Sequence, residues 1–369
     1  MNICIESQLL NHHQRSGLMT YTEGLVNGMS RHDYENQYKL IYYSLRRGAD
    51  MMPGPSNGNF QKIVLKVPDR QMMGRQWWLD CVALPAFFKK NRVKVFHRPS
   101  GYTMPPGNNI LKVLTVHDLR TLTIGDRFFT QNVDNYRRAL ARVDMCVVVS
   151  ECTKRDLMEH MKVDEKKIRV TYLGADERFR PASREEISGV KEKYNLNAPF
   201  LLSVGSVPRK NIDRILRAFA ASLYREKFLL VLCCHVEMEK HRQLAEKLGI
   251  RQRIRLLGKL TDSDLVALYS GCHCFVFPSL YEGFGLPIVE AMQCGAPVIT
   301  SNMSSCPEVA GDAAILVNPV ELGEITEAIN QICRQERLRQ QLVHKGFERA
   351  KIFSWQKFAE DMKKVYALA

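Results

Sequence analysis

Two α/β domains, each built on a doubly wound parallel sheet, are what this sequence predicts, and three observations predict them. The chain has 369 residues, beyond the size at which one hydrophobic core usually stops growing. Its apolar runs are short, rich in Val, Ile and Leu, and apolar on both faces, as in strands covered by helices on both sides. The runs form two series, parted by a charged, weakly apolar stretch holding Pro181 and Ser183-Arg-Glu-Glu.

In the first series the expected strands are Asn2–Glu6, Lys39–Tyr43, Lys62–Lys66, Lys94–His97, Leu111–Val116, Met145–Ser150 and Ile168–Thr171. The second comprises Phe200–Val204, Phe228–Cys233, Ile254–Leu257, Cys274–Pro278, Pro297–Thr300 and Ala313–Val317. Segments with helical spacing separate them, so each series reads as crossover-connected parallel strands. The boundary falls within Gly174–Tyr194. Residues 1–175 form the first expected domain and 176–352 the second, and the tail 353–369 has the spacing of an amphipathic helix.

Composition narrows the classes of function. The hydrophobic share is 45% and the charged share 25%, ordinary globular usage. Glu6 interrupts the only stretch that could serve as a signal peptide, and runs such as Phe228–Cys234 are too short to span a bilayer, so a cytoplasmic location is expected. Eleven cysteines occur without a CxxC pair, and Cys4, Cys146, Cys233, Cys234 and Cys274 lie in strand-like runs, which suits free thiols in a reducing compartment. In Cys272-His273-Cys274, alternation along a strand would send His273 away from the two thiols, so no metal site is expected there. The net charge is +14, and residues 1–175 carry 26 Lys and Arg against 16 Asp and Glu. A basic first half calls for an anionic partner. Nucleic acid is not expected, because no binding module or interleaved aromatic platform appears.

Open parallel sheets bind ligands beyond the carboxyl ends of their strands, so the loops after each strand carry the search. The richest is Pro278-Ser-Leu-Tyr-Glu-Gly-Phe-Gly-Leu-Pro-Ile-Val-Glu-Ala-Met. Gly283 and Gly285 allow close approach of a ligand, Pro287 suits the first residue of a helix, and the amides at that helix start form an anion site. Glu282 precedes the loop and Glu290 falls in the first helical turn, where sugar or ribose hydroxyls would satisfy a carboxylate. In Val204-Gly-Ser-Val-Pro-Arg-Lys-Asn, Arg209 and Lys210 stand at a strand's carboxyl end and Asn211 is placed to cap the next helix. In the first half, Ser16-Gly17 precedes the helical run Leu18–Met29, and His117-Asp118 ends a strand. Asp262-Ser-Asp264 reads as a helix start capped by Thr261 or Asp262 rather than as a metal-binding pair.

Together these segments resemble glycosyltransferase family 4, through Glu282-Gly-Phe-Gly-Leu-Pro-Ile-Val-Glu290, Val204-Gly-Ser-Val-Pro-Arg-Lys-Asn211 and Ser305-Cys-Pro-Glu-Val-Ala-Gly-Asp312, with looser matches at Ser16-Gly17, Phe96-His-Arg-Pro99, Val116-His-Asp-Leu119 and Val149-Ser150. The resemblance implies a GT-B fold, two Rossmann-like domains with a cleft between them, the first on the acceptor side and the second binding the nucleotide sugar, with the C-terminal helix returning to the first. It also implies a retaining transfer without metal or other cofactor. Arg209 and Lys210 would hold the donor diphosphate and Glu290 the ribose. Glu282 and the amides of Gly283, Phe284, Gly285 and Leu286 would contact the transferred sugar and phosphate, with His117 near the sugar and Gly17 near the phosphates. Two departures stand out: a single glycine at Ser16-Gly17-Leu-Met-Thr, and Cys233-Cys-His235 in place of a glycine-rich turn.

The resemblance extends to mannosyltransferases of surface polysaccharide and lipopolysaccharide assembly. It makes GDP-mannose the first expected donor and a glycan or polyprenyl-linked oligosaccharide the acceptor, with a UDP-sugar transferase or a sugar-nucleotide epimerase as alternatives. The segment Gln71–Lys94, with Trp77, Trp78, Phe87 and Phe88 ahead of Lys89, Lys90, Arg92 and Lys94, reads equally as a core helix or as a surface lying on the inner face of an anionic membrane.

Overall fold

The computed structural model describes residues 1–11, 16–44, 52–55, 58–67, 72–107, 109–119 and 133–369. The chain divides into two compact units, one of Met1–Gly174 with Ser354–Ala369, the other of Ala175–Phe353.

The first unit runs β1 (Asn2–Glu6), α1 (Gly17–His32), β2 (Gln37–Tyr43), β3 (Phe60–Leu65), α2 (Met72–Trp78), α3 (Leu84–Lys90), β4 (Val95–Arg98), β5 (Leu111–Val116), α4 (Val133–Ala141), β6 (Met145–Val148), α5 (Glu151–Met161) and β7 (Ile168–Val170). Its sheet has the order β3-β2-β1-β4-β5-β6-β7, with every pairing parallel. The second unit runs α6 (Arg184–Lys193), β8 (Phe200–Val204), α7 (Ile212–Ala221), β9 (Leu229–Cys233), α8 (Met238–Lys247), β10 (Ile254–Leu257), α9 (Asp262–Gly271), β11 (Cys274–Phe277), α10 (Leu286–Gln293), β12 (Val298–Ser301), α11 (Cys306–Ala310), β13 (Ala314–Val317), α12 (Leu322–Arg334) and α13 (Glu336–Ala350). Its parallel sheet has the order β10-β9-β8-β11-β12-β13. The last helix, α14 (Trp355–Tyr366), belongs to the first unit.

Both orders reverse direction once, between β1 and β4 and between β8 and β11, and such switch points open a crevice at the carboxyl ends of the strands. Inner strands of the second sheet are buried throughout, as in Leu229–Cys233 and Cys274–Phe277, which explains their unbroken apolar runs.

In the first unit α14 packs along α1. A Cβ on Gly24 would stand 2.0 Å from the Trp355 ring, so only glycine lets that ring lie on the helix. At the β1/β4 switch point the guanidinium of Arg98 is buried between Glu6 and Asp80 and donates to the Thr103 hydroxyl at 2.7 Å. Such a buried cation persists only while its carboxylates stay in place.

The aromatic segment before β4 is two short helices joined by a π-turn, Leu79–Ala83. Phe88 is buried and Phe87 and Trp78 pack against the core, whereas Trp77 is 63% exposed. Gln71 lies outside the described residues. In Cys272-His273-Cys274 the strand begins only at Cys274, because Cys272 closes α9; the two buried thiols turn to the carbonyls of Tyr269 and Phe275.

Candidate functional site

The candidate residues of the second unit meet at its switch point. The loop after β8 bends at Gly205, whose φ is +129°, and an added Cβ would stand 2.6 Å from Lys210 Cγ. Glycine therefore clears the path along which the lysine side chain crosses its own loop. Lys210 Nζ ends 2.7 Å from Glu282 Oε1 and 4.3 Å from the centre of the Phe277 ring. Arg209 Nη1 lies 2.5 Å from the same oxygen and donates to the Tyr281 carbonyl at 3.0 Å. Ser279 Oγ donates a third bond to Oε1 at 2.6 Å.

Two cations thus share one buried carboxylate at the carboxyl ends of the two central strands, leaving one positive charge in excess where water is scarce. Burial pulls the Lys210 ammonium below its ordinary range, with Glu282 opposing. Burial would raise the Glu282 carboxyl, but Lys210 and Arg209 outweigh it and hold the group below the usual carboxylate range.

The loops are tied together as well as charged. Leu280 N donates to the Arg209 carbonyl at 2.8 Å, and the one proton of Ser305 Oγ is shared between the carbonyls of Glu282 and Phe284, 2.9 and 2.8 Å away. Asn211 is not the side-chain cap the sequence suggested. It takes a left-handed conformation, and its amide donates to the carbonyls of Pro278 and Pro319 at 3.0 and 2.7 Å, clamping the loop after β8 onto those after β11 and β13. Gly285, with φ +105°, forms the N-cap of α10, so the helix starts at Leu286 and Pro287 is its second residue. Phe284 is buried against Phe353, which leaves its backbone rather than its ring to face a ligand.

Glu290 lies beyond the first turn of α10, so the helix-start amides do not hold it. Its nearest partner is the Tyr269 hydroxyl at 3.4 Å. Burial raises its pKa to about 7, with Tyr269, Lys210 and Arg178 pulling down and Asp176 pushing up. Arg178 in turn pairs with Asp176 and Asp262. Thr261 caps α9 through Asp264 N at 3.1 Å, and Asp264 pairs with Lys193 at 2.7 Å, so the two aspartates serve a helix start. Beside the loop after β8, Ser206 Oγ accepts from His235 N at 2.8 Å and sits 2.9 Å from His235 Nδ1, fixing an exposed imidazole at the end of β9.

The remaining candidates are on the first unit. Gly17 is the exposed first residue of α1, capped by Ser16. His117 follows β5 and lies 2.7 Å from the Pro99 carbonyl through Nε2. A carbonyl only accepts, so Nε2 carries the proton and Nδ1 is left as an acceptor. Burial lowers the pKa of His117, which favours this neutral ring. Ser279, Tyr269 and Arg178 are not singled out by the sequence. Ser279 adjoins the glutamate loop, but nothing in the spacing announces the other two.

A parallel-sheet pair with this charged switch point defines the class: the fold is GT-B, the two-domain architecture of many glycosyltransferases. Residues 16–179 match the model of Glycosyltransferase Family 4 and residues 184–349 that of Glycosyl transferases group 1. The chain is 33% identical over 273 residues to O-antigen chain mannosyltransferase B of Escherichia coli, with 71% of each chain covered. It is 29% identical over 355 residues to the serotype-specific mannosyltransferase WbdA of Escherichia coli, covering 90% of this chain and 43% of that one. The chain thus spans less than half the length of WbdA. Among solved structures, Anabaena HepE in complex with UDP and glucose superposes with a TM-score of 0.76 at 16% identity over 100% of both chains. The chain belongs to glycosyltransferase family 4.

Proposed function

We propose that the chain moves mannose from GDP-mannose to a glycan or polyprenyl-linked acceptor in surface polysaccharide synthesis, with retention at the anomeric carbon and without a metal. The observation that carries this reading is the Arg209–Lys210–Glu282 cluster at the switch point of the second unit. The leaving group of such a transfer is a nucleoside diphosphate, and the task of the site is to stabilise charge on its phosphates. Arg209 and Lys210 supply cations, and the Gly283–Leu286 backbone opens a helix towards the same place. In this reading Glu290 holds ribose hydroxyls, Glu282 orients both cations and contacts the transferred sugar, and on the first unit His117 accepts a sugar hydroxyl while Gly17 meets phosphate. The bond from the anomeric carbon to the donor phosphate breaks, a bond to the acceptor oxygen forms on the same face, and the acceptor proton passes to the departing phosphate. The mannosyl choice is supported by the names of the Escherichia coli relatives.

The test is a thermal-shift series with GDP, UDP and ADP, because a ligand bound only by the folded state raises the melting temperature, followed by transfer assays. GDP should give the largest shift, and Lys210→Ala and Glu290→Ala should stay folded yet lose transfer. A larger shift with UDP overturns the choice of donor. Full activity in either variant overturns the site, and donor turnover without an acceptor favours an epimerase.

A further inference from the structure

In the first unit a line of buried polar side chains runs from the last helix to the ring of His117. Tyr366 Oη on α14 lies 2.7 Å from His97 Nδ1. His97 Nε2 lies 2.8 Å from Thr115 Oγ1, and the same Oγ1 lies 2.7 Å from Tyr21 Oη on α1. Tyr21, His97 and Tyr366 are 0% exposed and Thr115 is 3% exposed. The Tyr21 ring then meets the His117 ring edge-on, with centroids 4.6 Å apart at 87°. Groups buried so completely keep their bonds because breaking one strands a donor or acceptor away from water. A neutral His97 suits the line, since one nitrogen then donates while the other accepts.

We propose that Tyr21 is a positioning residue for His117, held in register by the Thr115–His97–Tyr366 line, so that the C-terminal helix takes part in setting the sugar contact. The proposal rests on the reading of His117 given above. The hydroxyl of Tyr21 fixes its ring, the ring edge limits the rotation of the imidazole, and the Pro99 carbonyl fixes the tautomer. Together they leave His117 Nδ1 in one place as an acceptor. A ring freed to rock by a few tenths of an ångström would meet the substrate hydroxyl less often in the reactive geometry.

Four variants test it by steady-state kinetics with GDP-mannose, well below each melting temperature. Tyr21→Phe and Tyr366→Phe keep the rings and remove the hydroxyls. Each should lower kcat roughly three- to tenfold, the worth of one hydrogen bond, with a smaller change in KM for the nucleotide sugar. Tyr21→Leu removes the ring and should cost more. Val365→Ala, buried on the same helix but outside the line, should lower the melting temperature while kcat holds. Wild-type kcat in both Tyr21 variants, or an equal loss of kcat in Val365→Ala, overturns the proposal. His117→Ala separates the two levels: its loss of activity beside fully active Tyr21 variants sinks the positioning role alone, and its full activity sinks the reading of His117 on which that role stands.

Discussion

Glu290 shows how one residue's chemistry depends on its surroundings. Burial pushes its carboxyl up to about 7 although the side chain keeps some access to solvent, and the Tyr269 hydroxyl at 3.4 Å is a weak compensation. The sign of the consequence follows from linkage. A carboxyl whose folded pKa lies above its unfolded value keeps its proton longer in the folded chain, so stability is full at low pH and lost as pH rises through about 7. A tenfold change in proton affinity is worth about 1.4 kcal/mol, and the partial solvent access of the side chain reduces the total to about 1–2 kcal/mol. Glu290→Gln should therefore unfold at higher urea than wild type at pH 8 and alike at pH 4, and an equal difference at both values would refute the assignment. The pairing of Glu282 with Glu290 was legible in the sequence as a spacing. Their different surroundings were not, since those depend on which neighbours the fold brings: two cations and Ser279 at Glu282, a tyrosine and the Arg178 pair at Glu290.

At the scale of elements, the glycines of the helices separate into two kinds. Gly24 in α1 is crowded by the Trp355 ring at 2.0 Å, whereas Gly189 in α6 has nothing within 4 Å of where its Cβ would stand. Alanine in an exposed helix interior gains about 0.5–1 kcal/mol over glycine, and forcing a methyl into a packed contact costs about 1–3 kcal/mol. Gly189→Ala should thus raise the melting temperature and Gly24→Ala lower it, as read by thermal unfolding. If both rise, the seating of α14 on α1 is looser than the structure shows. The thirteen expected strands are all present, within a residue or two of their predicted bounds, because period and burial speak in local sequence. The caps were less legible. Asn211 sits at a helix start and reads as a capping residue, yet two carbonyls from other loops claim its side chain.

For the molecule as a whole, the charge of +14 still calls for an anionic partner. Among the described residues no helix is long and apolar enough to cross a membrane. Most aromatic rings of α2 and α3 face inward, but Trp77 and Val82 are exposed, 63% and 43%, with Lys89, Lys90, Arg92 and Lys94 exposed nearby in sequence. A face of this kind suits an anionic bilayer, where each cation contributes about 1 kcal/mol. Flotation with vesicles containing anionic lipid should recover the protein at low salt. The double variant Lys89→Glu, Lys90→Glu should weaken recovery at least tenfold, and equal binding to neutral vesicles would rule the face out.

The sequence by itself determined two parallel-sheet units, the loops that carry the chemistry and the resemblance that the family match confirmed. Strand period, helix-start residues and motif spacing are local, and local pattern survives in one dimension. Only the tertiary structure decided that Arg209 and Lys210 share one carboxylate, that Glu290 sits under a tyrosine with a carboxyl titrating near neutrality, and that Tyr366 reaches His97. Each of those facts is a distance between residues far apart in the chain, set by the packing of helices onto sheets.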